Sequence, residues 1–333
     1  MRLTFLLPVL ALTWSDPAGA VNIISSNDDG WAEANIRAFF HALTSAGHST
    51  VVAAPAQDQS GTGEHPRTCQ PLNGLTSPSA TGSFQKTPTV LTKPCEFNSC
   101  PEGSPPVGHN ASEPRLNYVN SYPATSMKYG IHSISRDFFE GAPDLAVAGP
   151  NVGNNIGLTV SLSGTVGATT YAVHEAGIPG IAFSGATGSQ TAWNASSTLP
   201  HYSQVYADLA VNFTNALVAS GKPYLPEGIW LNVNFPSVSD ECSTPDDFAF
   251  VLSRIHIAVP LITPGDVEVC GDSRLPSEIA VSLASGCYTS VSVGVASNKE
   301  DANATMQAAV LKKLGSLLTC LPSSTHGPRV ELV

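Results

Sequence analysis

The sequence predicts an α/β fold built on parallel strands. Short apolar runs alternate with helix-like patterns along most of the chain, which is typical of parallel strands joined by helical crossovers. Several of these runs end in polar or glycine-rich segments, as strands do where they enter loops. At roughly 150 residues per domain, the 333 residues suffice for one large α/β domain with an extension, and 42% of them are hydrophobic, enough for a sizeable core.

The first strand-helix-strand unit shows this alternation most clearly. Residues 21–25 form a β-branched run that breaks at Asn27-Asp28-Asp29-Gly30, which predicts a strand entering a loop. The next apolar residues recur at helical spacing, and they are Ile36, Phe39, Phe40 and Leu43. Gly47 fits the end of that helix, and the apolar residues 48–54 predict a second, parallel strand.

The alternation continues towards the C-terminus. We expect strands at residues 144–148, 178–184 and 229–235, and helices at residues 124–134, 163–176 and 202–217. Residues 57–114 are rich in Pro, Ser, Thr and Gly and predict a long surface excursion from the main domain of residues 21–235. The remainder is predicted as a disulfide-rich extension or oligomerisation arm, residues 236–333, with strands at 248–255 and 288–295 and a helix at 302–318.

Residues 1–20 have the three-part layout of a secretory signal peptide. A basic start precedes an apolar run at residues 3–14, and the small trio Ala18-Gly19-Ala20 predicts cleavage after Ala20. Pro8 interrupts the run, which is far shorter than the roughly 20 residues of a membrane-spanning helix. We therefore expect a secreted, extracellular protein without membrane association.

Four N-x-S/T sequons beside this signal predict a glycoprotein, although a chain rich in Asn, Ser and Thr also forms sequons by chance. They lie at Asn110, Asn194, Asn212 and Asn303.

Fifteen Lys and Arg against 26 Asp and Glu give a net charge of -11, which opposes binding to a polyanion. A nucleic-acid-binding protein is therefore disfavoured.

The seven cysteines fit an oxidising compartment, in which thiols pair as disulfides. Cys95 and Cys100 are close enough in sequence to close a small loop. The last four are expected to pair among themselves, which leaves Cys69 over, and they are Cys242, Cys270, Cys287 and Cys320. A zinc site is disfavoured because the chain has no C-x-x-C.

Polar residues follow three of the predicted strands. Asp28 and Asp29 follow the first strand. The second is followed by Gln57, Asp58, Gln59 and Ser60, and the third by Asn151, Asn154 and Asn155. Ligand sites of parallel sheets lie at the carboxyl ends of strands, and oxygen ligands of these types suit Mg²⁺, Mn²⁺ or Ca²⁺. Each group taken alone also fits a helix cap or a turn.

The triplet Ser163-Gly164-Thr165 stands at the predicted start of a helix, where free backbone N–H groups favour an anion such as phosphate. A serine N-cap explains the same triplet without any ligand.

The chain has no Walker motif, no G-x-G-x-x-G after the first strand, no G-x-S-x-G and no H-E-x-x-H. These absences disfavour nucleoside triphosphate binding, α/β-hydrolase esterases and zinc proteases.

Four motifs in order resemble the survival protein SurE family of metal-dependent phosphatases and nucleotidases, in its secreted acid phosphatase-like branch. The motifs are Ser-Asn-Asp-Asp-Gly at 26–30, Gln-Ser-Gly at 59–61, Ala-Gly-Pro-Asn-Val-Gly-Asn-Asn-Ile-Gly at 148–157 and Ser-Gly-Thr-Val at 163–166. The resemblance implies a Rossmann-like three-layer sandwich with a mostly parallel sheet. It also implies hydrolysis of phosphate monoesters, often nucleoside 5'- or 3'-monophosphates, with Mg²⁺ or Mn²⁺.

Carried onto this sequence, the resemblance implies four metal ligands, Asp28, Asp29, Ser60 and Asn151. Asp28 or Asp29 would take the proton of the attacking water. The resemblance implies a phosphate pocket lined by Asn155, Ser163, Gly164 and Thr165. The family is often dimeric or tetrameric through C-terminal arms, so a homodimer or homotetramer is expected.

Two departures from the family pattern affect these expectations. The sequence Ala-Gly-Pro-Asn at 148–151 replaces the usual Ser-Gly-Ile-Asn, which keeps the asparagine but changes its support. The segment after Gly61 is also longer than in compact members. If this segment covered the site, it would alter which substrates can enter.

Two other functions use similar residues, a non-catalytic binding protein on the same fold and a Ca²⁺-dependent carbohydrate binder.

Overall fold

The computed structural model describes residues 19–62 and 86–322, and the strands in these residues form one ten-stranded sheet. The strands are β1 (Asn22–Ser26), β2 (Ser49–Pro55), β3 (Val107–His109), β4 (Leu116–Val119), β5 (Leu145–Val152), β6 (Gly180–Gly185), β7 (Ile229–Phe235), β8 (Ala249–Ser253), β9 (Tyr288–Val295) and β10 (Leu318–Thr319). The helices are α1 (Ala34–Ser45), α2 (Pro123–His132), α3 (Gly164–Ala176), α4 (His201–Ala219), α5 (Glu278–Ser282) and α6 (Ala304–Leu314).

The strand order is β10-β8-β9-β7-β6-β5-β1-β2-β4-β3. Neighbouring strands are parallel except for the pairs β3 with β4 and β7 with β9, so the prediction of a mostly parallel sheet is confirmed. The chain leaves β1 for β2 on one side and later returns to β5 on the other side of β1. This reversal makes the β1–β5 boundary the switch point, where open α/β sheets form a crevice.

Alternating side chains of the strands build two cores, one on each face of the sheet. Ile23 of β1 faces a core shared with α1 and α4, whereas the next residue, Ile24, faces a core shared with α2 and α3. Phe183 of β6 joins the two helices of the first core, because its ring lies edge-on to Phe39 and Phe213, with centroids 5.5 and 5.9 Å away. The two helical layers confirm the three-layer sandwich.

The predicted elements are found with small shifts at their ends. The predicted strands at 229–235 and 288–295 coincide with β7 and β9. The third predicted strand is longer than expected, since β5 continues to Val152, so Asn151 lies within a strand and not in the loop after it. The two short strands β3 and β4 were missed because they lie in and beside the irregular excursion, where they form one edge of the sheet.

The last part of the chain extends the same sheet. Strands β8, β9 and β10 lie beyond β7, and two disulfides, Cys242–Cys287 and Cys270–Cys320, connect the segments around them. A third disulfide closes the predicted small loop between Cys95 and Cys100. The disulfide pairing expected for these six cysteines is therefore confirmed, while Cys69 lies outside the described residues.

The predicted signal peptide falls almost wholly outside the described residues, which begin at Gly19. Among the helices of residues 19–62 and 86–322, none is both long enough and apolar enough to cross a membrane.

Candidate functional site

The candidate site lies at the switch point between β1 and β5. Asp28 and Asp29 follow the carboxyl end of β1, and Asn151 lies near the carboxyl end of β5. The two strands are paired in parallel up to Ser26 and Ala148, so both ends reach the same edge of the sheet. All three polar side chains are buried, with exposed fractions of 3%, 1% and 8%.

Asp28 is held by the start of helix α3. The backbone N–H of Gly164 donates to Asp28 Oδ2 at 3.0 Å, and the hydroxyl of Thr165 donates to Asp28 Oδ1 at 2.5 Å. The predicted anion site at this helix start is thus filled by a carboxylate of the same chain. Gly164 has to be glycine, because an added Cβ would lie 2.7 Å from the Cβ of Asp28.

Asn151 directs its amide oxygen towards the same place. Its Nδ2 donates to the carbonyl of Gly153 at 2.7 Å, which fixes the orientation of the amide, and its Oδ1 lies 3.4 Å from the Thr165 hydroxyl. The neighbouring Pro150 carbonyl accepts a hydrogen bond from Asn35 of α1 at 3.1 Å. These hydrogen bonds hold the Ala-Gly-Pro-Asn segment and the amide of Asn151 in place.

Asp29 is anchored from β5 and from a loop that the sequence motifs did not indicate. The backbone N–H of Val152 donates to Asp29 Oδ2 at 3.0 Å, and Gln190 Nε2 donates to Asp29 Oδ1 at 2.7 Å. Gln190 belongs to the loop after β6. A strand-end loop with the polar sequence Ala-Thr-Gly-Ser-Gln was the only signal that pointed to it.

Ser60 lies beside the acidic pair on an exposed turn. The backbone N–H of Gln59 donates to the carbonyl oxygen of Asp28 at 2.7 Å, which ties the turn to the β1 loop. The Ser60 hydroxyl donates to Asp58 Oδ1 at 2.6 Å. Ser60 is thus near the acidic pair, and its hydroxyl is paired with Asp58, which belongs to the same group of polar residues predicted after the second strand.

The other two residues of the predicted phosphate pocket have different surroundings. Ser163 Oγ accepts from the backbone N–H of Val166 at 3.1 Å, which is the N-cap role considered as the alternative. Asn155 donates through Nδ2 to Ser184 Oγ at 2.9 Å, and its backbone N–H donates to Asn234 Oδ1 at 2.9 Å. The structure therefore places Asn155 in a separate hydrogen-bonded group at the ends of β6 and β7.

Burial raises the pKa of both acidic groups of the pair. For Asp28, burial outweighs the hydrogen bonds from Thr165, which lower the pKa. The pKa of Asp29 lies well above its ordinary value, because burial is reinforced by the negative charges of Asp28 and Glu33. Two adjacent buried carboxyl groups thus oppose each other's ionisation unless a positive charge is added.

The oxygen atoms of the site fit a divalent cation. Carboxylates, an amide oxygen and a hydroxyl are the ligand types that Mg²⁺ and Mn²⁺ prefer. Across residues 19–62 and 86–322, no lysine or arginine forms an ion pair with Asp28 or Asp29. No three His, Cys, Asp or Glu side chains of these residues are arranged to hold a metal, and a cation at the acidic pair would also draw on the oxygens of Asn151 and Ser60.

Glu278 is a further buried carboxyl group behind the site. It lies on the short helix α5, where Oε2 accepts from Gly157 N at 3.1 Å and Oε1 accepts from Asn232 Nδ2 at 2.7 Å. The same Asn232 amide donates to the Asn155 carbonyl at 2.8 Å, so Glu278 supports the loop after β5. Burial raises the pKa of Glu278 to about 8, and no motif of the sequence indicated this role.

The fold and the site together define an α/β-sandwich protein with a buried acidic pair at the switch point of its sheet, beside a helix start. The sequence model of the family described as survival protein SurE matches residues 23–250, more than half of the chain. The chain belongs to the survival protein SurE family, and the resemblance found in the four motifs is confirmed.

Individual relatives agree with this assignment. An acid phosphatase of Yarrowia lipolytica is 34% identical over 298 residues, which cover 81% of this chain and 78% of that protein. A 5'-nucleotidase SurE of Lawsonia intracellularis is 28% identical over 219 residues, 66% of this chain and 67% of that protein. Both are named as phosphoric monoester hydrolases, and this chain is an enzyme of that class.

A solved structure supports the fold. The crystal structure of the SurE protein from Aquifex aeolicus matches with a TM-score of 0.54 at 20% sequence identity, and the match covers 87% of this chain and 98% of that chain. The predicted α/β fold class is confirmed.

The raised pKa of Glu278 predicts that the stability of the protein depends on pH. The unfolded chain releases this proton near pH 4.5 and the folded chain only near pH 8, so the folded state binds more protons between these values. The free energy of unfolding should therefore fall as the pH rises from about 5 to about 8. In urea titrations across this range, Glu278→Gln should show a smaller fall than wild type.

The exposed Glu102→Gln is the matched control and should retain the wild-type slope. An unchanged slope in Glu278→Gln would show that this carboxyl group is not the origin of the pH dependence.

Proposed function

We propose that this chain is a secreted, divalent-metal-dependent phosphomonoesterase that acts on nucleoside 5'- or 3'-monophosphates. The observation that carries the proposal is the buried pair Asp28 and Asp29, held by donors from two other elements at the sheet's switch point. The relatives named acid phosphatase and 5'-nucleotidase support phosphate monoesters as substrates and nucleotides among them.

Asp28, Asp29, Asn151 and Ser60 would hold the cation. A bound Mg²⁺ or Mn²⁺ supplies a Lewis acid for the phosphoryl oxygen and lowers the pKa of a water molecule. Gly164 and Thr165 keep Asp28 in place through the hydrogen bonds at the start of α3, and Gln190 and Val152 do the same for Asp29.

The acidic pair has a second task in this proposal, because the attacking water must lose a proton. Asp28 and Asp29 are the carboxylates closest to the proposed cation, and either is a suitable acceptor. The positive end of the α3 dipole lies beside Asp28 and favours its ionised form, which both the cation and the proton transfer require.

Substitution of Asp29 tests the catalytic part of the proposal. Asp29→Asn keeps the shape of the side chain but removes a charge that binds the cation and accepts a proton. We expect phosphate release from nucleoside monophosphates, measured with Mg²⁺ or Mn²⁺, to fall at least about 100-fold, the scale of a positioned acid-base group. Wild-type activity should disappear when EDTA removes the metal.

The exposed Asp137→Asn serves as the matched control and should keep full activity. Full metal-dependent activity in Asp29→Asn would contradict the assignment of the pair. If folded wild-type protein released no phosphate under any condition, the non-catalytic binding protein would replace the proposed function. Metal-dependent glycan binding without phosphate release would favour the carbohydrate binder.

An exposed apolar surface beside the site supports self-association. We define this apolar patch by three groups of exposed side chains, Leu158 with Leu162, Ile279 with Leu283, and the loop residues Ile257, Val259, Leu261 and Ile262. The first two groups adjoin, because an added Cβ on Gly157 would lie 3.3 Å from Ile279 Cδ1. Apolar patches of this kind on a protein surface mark interaction sites, and a second copy of the chain is the proposed partner.

Measurement of the mass in solution tests this assembly. Wild-type protein should have the mass of a dimer or tetramer, and the double variant Leu261→Glu/Ile262→Glu should shift it towards the monomer, because charges in an apolar interface oppose its burial. Val90→Glu changes an exposed apolar residue outside the patch and should leave the mass unchanged. A monomeric wild-type protein would contradict the assembly.

Export and glycosylation complete the proposal. Asn194, Asn212 and Asn303 are exposed and Asn110 is half-buried, so the four sequon asparagines are accessible to different degrees. The three disulfides are consistent with an oxidising compartment.

Expression of the full chain in a eukaryotic host should yield protein in the medium that begins at Val21. Treatment with an endoglycosidase should lower its mass, and Asn212→Gln should remove one glycan if the exposed face of α4 carries one. Retention of the chain in the cell with residues 1–20 intact would contradict the export proposal.

A further inference from the structure

A disulfide-closed loop from the excursion lies against the candidate metal site. We call it the stapled loop, residues 95–100, and its two cysteines are buried in a core with Trp31 and Tyr118. Two hydrogen bonds fix it to the segment after β2. Glu96 N donates to the Ala56 carbonyl at 2.9 Å, and Gln57 Nε2 donates to the Pro94 carbonyl at 2.6 Å.

The backbone of the stapled loop has an uncommon shape. Phe97 and Asn98 are consecutive non-glycine residues with positive φ angles of 55° and 54°. Non-glycine residues rarely adopt this left-handed conformation, and two in a row require support from their surroundings. The disulfide and the two hydrogen bonds to the segment after β2 provide that support.

Glu96 lies between the two segments that carry three of the predicted metal ligands. Its Oε2 lies against Gly30, the residue after Asp29, so closely that a methyl group on Gly30 would overlap it. Asp58 is also close to this carboxyl group, because its negative charge adds to burial in raising the pKa of Glu96 to about 7. Asp58 in turn accepts hydrogen bonds from the backbone N–H and the hydroxyl of Ser60, at 2.8 and 2.6 Å.

We infer that Glu96 is a positioning residue for the cation site, which it supports by fixing the Asp28–Gly30 loop against the Asp58–Ser60 turn. Three of the four predicted metal ligands belong to these two segments, and the Glu96 side chain lies against the first of them and close to the second. Ser60 is the exposed member of the ligand set, so it depends most on such support. Glu96 itself is not proposed to touch the cation or the substrate.

This inference rests on the proposed metal dependence. Its test is a titration of the protein with Mn²⁺ in the absence of substrate, in which calorimetry measures the dissociation constant. Glu96→Ala should raise the dissociation constant for Mn²⁺ about tenfold, the lower end of the effect of residues that orient metal ligands. Glu96→Gln keeps the shape of the side chain and its contact with Gly30, and should stay within about threefold of wild type. Glu102→Ala, an exposed carboxylate just outside the staple, is the control and should bind as wild type.

The double variant Cys95→Ser/Cys100→Ser tests the staple by the same measurement. It should resemble Glu96→Ala in Mn²⁺ affinity, because the loop then no longer holds the carboxyl group in place. Wild-type affinity in Glu96→Ala would overturn the inference, and so would equal losses in Glu96→Ala and Glu96→Gln, which indicate an effect of charge. A wild-type protein that binds no Mn²⁺ contradicts the proposed metal dependence itself.

Discussion

The structure depends on the burial of two adjacent carboxyl groups, Asp28 and Asp29, at the point where the sheet reverses its strand order. Two unit charges about 4 Å apart repel by about 4 kcal/mol at an effective dielectric constant of about 20. The surrounding chain offsets this cost only in part, with hydrogen bonds from Gly164, Thr165, Val152 and Gln190. The proposed cation would offset the remaining repulsion.

The neighbouring elements are arranged to keep that pair in place. Helix α3 begins against Asp28, and β5 continues past the irregular Gly149-Pro150 step so that Asn151 and Val152 reach the pair. Gly149 has a φ of 97°, and a side chain there would overlap the Phe183 carbonyl of β6. The Gly and Pro of this motif therefore set the path of the backbone, while the amide oxygen of Asn151 points towards Thr165 at the acidic pair.

Patterns that repeat along the chain could be predicted from the sequence. The alternation of strand-like and helix-like segments predicted the parallel sheet. The motifs at the ends of strands predicted that Asp28, Asp29 and Asn151 lie together, because parallel strands bring their carboxyl ends to one edge of the sheet. Gln190, Glu278 and Glu96 could not be found in this way, since each reaches the site from a loop or short helix whose position depends on long-range packing. The irregular excursion likewise concealed β4, a four-residue strand whose partner, β2, ends more than 60 residues earlier.

The most direct test of the central claim is to locate the cation. Crystals of the full chain grown with Mn²⁺ would show the ion by its anomalous scattering. The account predicts one peak within coordination distance of the Asp28 and Asp29 carboxylates and of Asn151 Oδ1, with Ser60 on the open side. A fully occupied peak elsewhere, or none at saturating Mn²⁺, would contradict it.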